Sequence, residues 1–218
     1  MAGRTIAIGD VHGCRLALEA VLDALQPQAE DLVVALGDYI DRGSDSRGVV
    51  DRLLRLRSEC RLVTLLGNHE VMLLEAVDSL PAFENWQRYG GKQMLQSYGG
   101  RMEDIPPEHW DFFRGLDLFY ETEKHFFIHA NYDADLPLNK QPEYLALWEH
   151  CNPNLPRPHL SGKTAIMGHT AQRSGEIFDR GHLVCIDTYC HGGGWLTALE
   201  VNTRECWQAD REGRLREG

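Results

Sequence analysis

Three short apolar runs in the first third of the chain each end on glycine followed by a polar side chain: TIAIG before Asp10, DLVVALG before Asp38 and RLVTLLG before Asn68. Runs of this length, rich in Val, Ile and Leu and closed by glycine, read as strands at 5–9, 31–37 and 61–67. Between them lie RLALEAVLDALQ (15–26) and SRGVVDRLLRLRSE (46–59), whose apolar residues recur at helical spacing. A β-α-β-α-β order with short connections predicts a parallel sheet with right-handed crossovers. Sites in such sheets gather beyond the carboxyl ends of the strands, and all three polar junctions fall there. What remains to be explained is why the GNHE junction (67–70) sets three polar side chains in front of an apolar helix.

The second half of the chain returns to strands, at KHFFIHA (124–130), TAIMGH (164–169), GHLVCIDT (181–188) and GWLTALEV (194–201). Strand-dense sequence after an α/β half predicts a second, mixed sheet packed on the first. Residues 1–208 are read as one domain, with 79–115 as a segment capping the site and 209–218 as a charged, frayed tail. The 218 residues suffice for a sheet-based core.

In an extended segment, residues i and i+2 project to one side, so Asp10 and His12 of GDVHG can reach one point. Asp38 and Asn68 end the next two strands, and His129 and His169 close FFIHA and IMGH. Six oxygen and nitrogen donors at strand ends, with no thiolate among them, suit two divalent cations. Hard oxygens with imidazoles favour manganese, with iron and zinc as alternatives. A single strand-end Asp or His is ordinarily a helix cap. Three such junctions in order, each at a strand–helix boundary, are harder to assign to capping. The dinucleotide-binding alternative fails, because no G-x-G-x-x-G follows the first strand.

GDVHG, GDYIDRG and GNHE, followed by IHA and GHT, resemble the motifs of the calcineurin-like metallophosphoesterases. GDYIDRG and GNHE are similar, more narrowly, to those of the phosphoprotein phosphatases and their compact bacterial and phage relatives. The resemblance runs from about residue 5 to 201. It implies an αββα architecture, two mixed β-sheets packed face to face and flanked by helices, with a dinuclear centre at its edge. By the same resemblance Asp10 and His12 bind the first metal, Asp38 bridges both, and Asn68, His129 and His169 hold the second. Arg42 grips the phosphoryl oxygens, and His69 is the general acid oriented by Asp41. Such enzymes place a second phosphate-binding arginine after a tryptophan, where this chain has Glu149, and Arg157 is taken as its substitute. The usual glycine after the first histidine ligand is absent, so Asn131 and Asp133 are expected to reshape the rim.

The implied reaction is hydrolysis of phosphoserine or phosphothreonine in proteins, with phosphotyrosine as an extension, by direct attack of a hydroxide bridging the two metals. The runner-up is hydrolysis of dinucleoside polyphosphates, whose relatives share these motifs and whose substrate wants an aromatic or basic clamp. A non-catalytic phosphopeptide-binding module is disfavoured, because every expected site position is filled. The expected partner is a phosphorylated protein or peptide. A formal net charge of −11 argues against nucleic acid and anionic membranes as partners. No apolar run approaches the ~20 residues of a membrane span, and no leader is visible, so a cytoplasmic location is expected. Six cysteines form no C-x-x-C pair and read as small buried residues. His109, His125, His150, His159 and His182 read as satisfied or surface histidines, and Trp86, Tyr89, Tyr98 and Trp110 as packing; His191, in the glycine-rich YCHGGGW, is placed to line the pocket mouth, the disfavoured of its two readings.

Overall fold

The computed structural model describes residues 3–152 and 154–217. Strands β1 (Thr5–Ile8), β2 (Leu32–Ala35) and β3 (Arg61–Thr64) run parallel. They are separated by α1 (Arg15–Leu25) and α2 (Ser46–Leu56), as the apolar periodicity requires. Helix α2 opens on Asp45, whose carboxylate accepts the Gly48 N–H at 2.8 Å, an N-cap. Helix α1 ends at Gln26, whose φ of 49° turns the chain out of the helix. After α3 (Asn68–Ala76) come α4 (Leu80–Trp86), α5 (Lys92–Tyr98) and α6 (Pro107–Arg114).

The second half supplies β4 (Phe119–Glu121), β5 (His125–Ile128), α7 (Glu143–Trp148), β6 (Thr164–Met167), β7 (Phe178–Asp179), β8 (Leu183–Cys185), β9 (Leu196–Glu200) and β10 (Cys206–Ala209). The first sheet has the order β10-β9-β1-β2-β3 and the second β4-β5-β6-β8-β7. The first is antiparallel on its β10-β9-β1 side and parallel through to its β3 edge; the second is parallel at its centre and antiparallel at both edges. Strand β9 therefore closes the first sheet rather than the second, pairing antiparallel with β1.

Side-chain alternation builds the layers. Ala7, Val34 and Leu36 of the first sheet meet Phe127, Ile166 and Val184 of the second. Their neighbours Ile6, Ile8, Val33 and Ala35 face the helices on the other side, and Phe126 and Ile128 face the outer layer that contains Ala146 and Leu147 of α7. Buried on both faces, the central strands must be apolar at nearly every position, which is how they read. The two sheets thus form the sandwich between helices that the strand pattern predicts.

Two expectations are corrected. Segment 79–115 is helical but is a side wall rather than a lid: α4, α5 and α6 lie along α2 and α3. Trp86, Met94, Leu95, Phe112 and Phe113 are buried there in the first sheet's core. The tail is not frayed through residue 217. Ala209 pairs with Leu215, Arg216 donates to the Gly175 carbonyl and the Gln208 side chain, and its guanidinium lies over Trp195.

Candidate metal centre

The loops after β1 and β2 are tied into one another before any side chain is considered. The N–H groups of Val11 and His12 both donate to the Asp38 carbonyl, at 3.1 and 2.8 Å, and Gly13 N–H donates to Tyr39 at 2.8 Å. This needs unusual backbone: His12, Asp38, Asp41 and Arg42 all sit at positive φ (45°, 51°, 70° and 65°). Such conformations cost ~1–3 kcal/mol each and persist where the surroundings dictate them. Asp10 and His12 therefore approach the centre through a turn, not through extended alternation.

Glu70 supplies much of the dictation. Its carboxylate, fully buried, accepts the N–H groups of Gly67 (3.1 Å), Asp38 (2.9 Å), Tyr39 (2.8 Å) and Ile40 (3.3 Å). Burial and the nearby Asp38 push its pKa up to about 8, against the pull of those donors. The last residue of GNHE is thus a brace that holds the β2 loop onto the start of α3.

The six expected donors meet at the carboxyl ends of both sheets. Asp38 lies between two groups of possible ligands, one with His12 and His69, the other with His129 and His169. Its Oδ2 is 3.4 Å from His12 Nε2, and its Oδ1 is 3.5 Å from His129 Nε2. Asn68 Oδ1 stands 3.1 Å from His129 Nε2 and 3.0 Å from His169 Nδ1. Asp10 approaches from the other side: both of its oxygens accept the His169 N–H at 3.1 Å, linking β1 to the second sheet. Gly168 leaves room for that contact, since any Cβ there would collide with Asp10 Oδ1.

The proton pattern fits cations. His12 Nδ1 donates to the Ile40 carbonyl (2.9 Å), His129 Nδ1 to Leu36 (2.8 Å) and His169 Nε2 to Trp148 (3.1 Å). A carbonyl only accepts, so the proton of each neutral ring is committed outward and the other nitrogen turns a lone pair inward. Burial lowers the pKa of all three, His169 to about 3, which keeps the rings neutral. Asp38 Oδ1 accepts the His69 backbone N–H at 3.1 Å, a bond that favours its ionised form. Around His129 Nε2, three acceptors then face one another, an arrangement a positive ion relieves. Burial pushes Asp10 and Asp187 up, Asp187 to about 6, as carboxylates crowded near Asp38.

Beside the donors sits a proton-transfer pair. His69 Nδ1 is 2.6 Å from Asp41 Oδ2, leaving Nε2 toward the cleft, 3.9 Å from Asp38 Oδ2. Burial raises the Asp41 pKa, while hydrogen bonds from His69 and Trp86 oppose it. Arg42 Nη1 lies 3.1 Å from His12 Nε2 and 3.4 Å from His191 Nε2.

These groups floor a cleft of about 550 Å³ whose walls include Tyr89, Trp148, His150, Arg173, Tyr189 and His191. Arg157 is not among its lining residues. It is exposed, pairs with Asp135, and borders a separate depression with Asn131 and Tyr132. Arg173, four positions after His169, does line the cleft and lies over the Tyr189 ring (5.6 Å). Asn131 does not shape the rim either. Buried, it donates to the His150 and Asn154 carbonyls and so supports the loop that bears His150.

His150 reaches the cleft, against its reading as a satisfied or surface histidine, and His191 lines it too. His150 stacks on His169 (4.6 Å between centroids), and His191 meets His12 edge-on (4.7 Å). His109 is satisfied as expected, between Tyr98 and Asp51. All six cysteines are free and five are buried. Among the described residues, no helix is long and apolar enough to cross a membrane.

A sequence model described as calcineurin-like phosphoesterase matches residues 3–194. Serine/threonine-protein phosphatase 1 of Salmonella typhimurium is 28% identical over 205 aligned positions, covering 89% of this chain and 90% of the relative. The symmetrical bis(5'-nucleosyl)-tetraphosphatase of Erwinia tasmaniensis is 27% identical over 271 positions, covering 92% and 95%. Among solved structures, one of a proposed diadenosine tetraphosphatase superposes with a TM-score of 0.73 at 24% identity, covering 96% of this chain and 94% of that one.

Proposed function

The chain belongs to the calcineurin-like phosphoesterases, metal-dependent hydrolases, and from that premise we propose that it is a phosphomonoesterase acting on phosphoserine and phosphothreonine in proteins or peptides. Asp10, His12, Asp38, Asn68, His129 and His169 would hold two divalent cations, for which this oxygen and imidazole set suits manganese, iron or zinc. When bound, the pair supplies Lewis acidity and an activated water at neutral pH.

The protein's own groups do the rest. Arg42, and Arg173 from the opposite wall, hold the phosphoryl oxygens and offset the charge that develops on them. His69 donates its Nε2 proton to the departing oxygen, while Asp41 keeps the ring aligned and stabilises its charged form.

That buried His69–Asp41 pair, aimed into an arginine-bearing cleft, is the observation on which the monoester reading rests. A seryl alkoxide is a poor leaving group and needs the proton; a polyphosphate anhydride leaves without it. Alignment length points the same way. The 271 positions aligned to the tetraphosphatase exceed the 218 residues of this chain, so that enzyme has segments lacking here. The 205 positions aligned to the protein phosphatase fit within it.

The dinucleoside polyphosphate reading stands second, supported by Tyr89, Trp148, Tyr189 and Arg173, which supply the aromatic and basic clamp it requires. Parallel turnover of a phosphopeptide, diadenosine tetraphosphate and an aryl phosphate with Mn²⁺ separates the two readings. The phosphopeptide is expected to turn over fastest; a strong preference for the tetraphosphate reverses the order. His69→Asn is expected to slow alkyl esters by ~10²–10⁴-fold and aryl esters far less. Equal slowing of both would remove His69 as the acid.

A further inference from the structure

Asp41 and Arg42 adjoin the proposed chemistry in left-handed backbone (φ 70° and 65°), and segment 80–98 packs directly against them. Trp86, fully buried at the end of α4, points its indole N–H at the Asp41 carboxylate, 2.9 Å from Oδ2 and 3.1 Å from Oδ1. The ring is fixed on two sides. Phe83 meets it edge-on at 5.9 Å, and Gly91 lies so close that a Cβ there would come within 2.5 Å of its Cδ2. At Gly90 the chain turns (φ 119°), and a Cβ would come within 2.5 Å of Arg42 N and 3.0 Å of Asp41 Cβ.

A carboxylate held by one imidazole can rotate about its terminal torsion and let the ring follow. Asp41 has a second donor in rigid register with the first, because the indole and His69 Nδ1 share Oδ2. Ser46 Oγ accepts the Asp41 N–H at 3.1 Å, so the backbone of the residue is tethered too.

We infer that Trp86 is a positioning residue for proton donation to the leaving group, acting through Asp41 to keep His69 Nε2 directed into the cleft. The role rests on the general-acid reading above and adds to His69 and Asp41 a third member, brought by the helical side wall. It also gives that wall a purpose beyond packing: the chain that shields α2 and α3 completes the acid.

The test is Trp86→Phe, which keeps an aromatic ring and removes the N–H, assayed with Mn²⁺ on an alkyl and an aryl phosphate. Turnover of the alkyl ester is expected to fall about tenfold, the scale of a lost hydrogen bond to a charged group, and that of the aryl ester less than about threefold. The ratio of the two rates does not depend on the folded fraction, so partial unfolding cannot imitate the result. In a His69→Asn background, Trp86→Phe is expected to cost nothing further, since both act through one proton. Equal losses on the two esters, or an undiminished loss in the His69→Asn background, would overturn the inference. If His69→Asn itself does not discriminate between the esters, the general-acid reading fails first; if it does and Trp86→Phe does not, the inference fails alone.

Discussion

The centre is assembled from two unlike halves. His12, Asp38, Asn68 and His69 come from three successive loops of the first sheet, knitted by backbone hydrogen bonds and by the buried Glu70. His129 and His169 come from the second sheet and are held more loosely. One carbonyl from the end of α7 orients His169, and the loop bearing His150 rests on Asn131 and on Thr170 Oγ1, which accepts the Cys151 N–H at 3.0 Å. The first half is fixed by the buried Glu70 carboxylate and by strained backbone; the second shares that strain only at His169 (φ 60°), whose N–H is held by Asp10, and otherwise rests on single neutral hydrogen bonds. Only Asp38 belongs to both groups of candidate ligands, so it is where the halves either act together or come apart.

Asp38→Asn tests that junction and carries the largest expected effect. Losing a charge shared by both groups should lower turnover by more than the ~10–100-fold typical of an outer-layer partner, with bound metal falling by about two equivalents. His12→Ala and His169→Ala should each lose about one. Metal analysis of the purified variants decides. Two equivalents lost from His169→Ala alone would mean that the second half is not separable from the first.

The same contrast governed what could be read in advance. The first half was legible because its groups are encoded locally, each Gly-Asp or Gly-Asn falling at the end of an apolar run. The two-sheet architecture followed from strand and helix periodicity. Strands β4, β7 and β10 escaped because they are short edge elements set by pairing partners rather than by their own pattern. His150, Arg173 and Trp86 escaped for a different reason. Each reaches the site through a loop or side wall whose path depends on tertiary packing, and none stands in a motif. Arg157 was sought near Trp148 along the sequence, whereas the arginine that lines the cleft, Arg173, stands beyond His169.

If bracing differs as described, stability should register it. Glu70→Gln keeps the side chain's size but replaces one of two accepting oxygens with an amide that faces N–H donors. The expected cost is about 2–3 kcal/mol. Thr170→Val removes one neutral acceptor, at about 1 kcal/mol. Chemical unfolding of the two variants at neutral pH gives the comparison directly. Equal costs would mean that the brace, with its four backbone donors, adds nothing beyond an ordinary hydrogen bond.

The smallest effects separate the two arginines. Arg173→Ala, losing a cation that lines the cleft, should lower kcat/KM for a phosphopeptide about tenfold, mostly through KM if the grip is the same on substrate and transition state. Arg157→Ala should leave both constants within about twofold, because an exposed ion pair away from the cleft contributes little. Both are surface-facing arginines on second-half loops, and both changes remove one positive charge from an acidic protein. A general loss of electrostatic attraction would therefore weaken the two variants alike, whereas direct contact with the phosphoryl group weakens only one. The difference should also survive added salt, since screening diminishes long-range attraction far more than a hydrogen-bonded contact. If Arg157→Ala proves the more damaging, the substrate runs over the Asn131–Arg157 depression instead, and the second half takes part in recognition through a surface the cleft does not include.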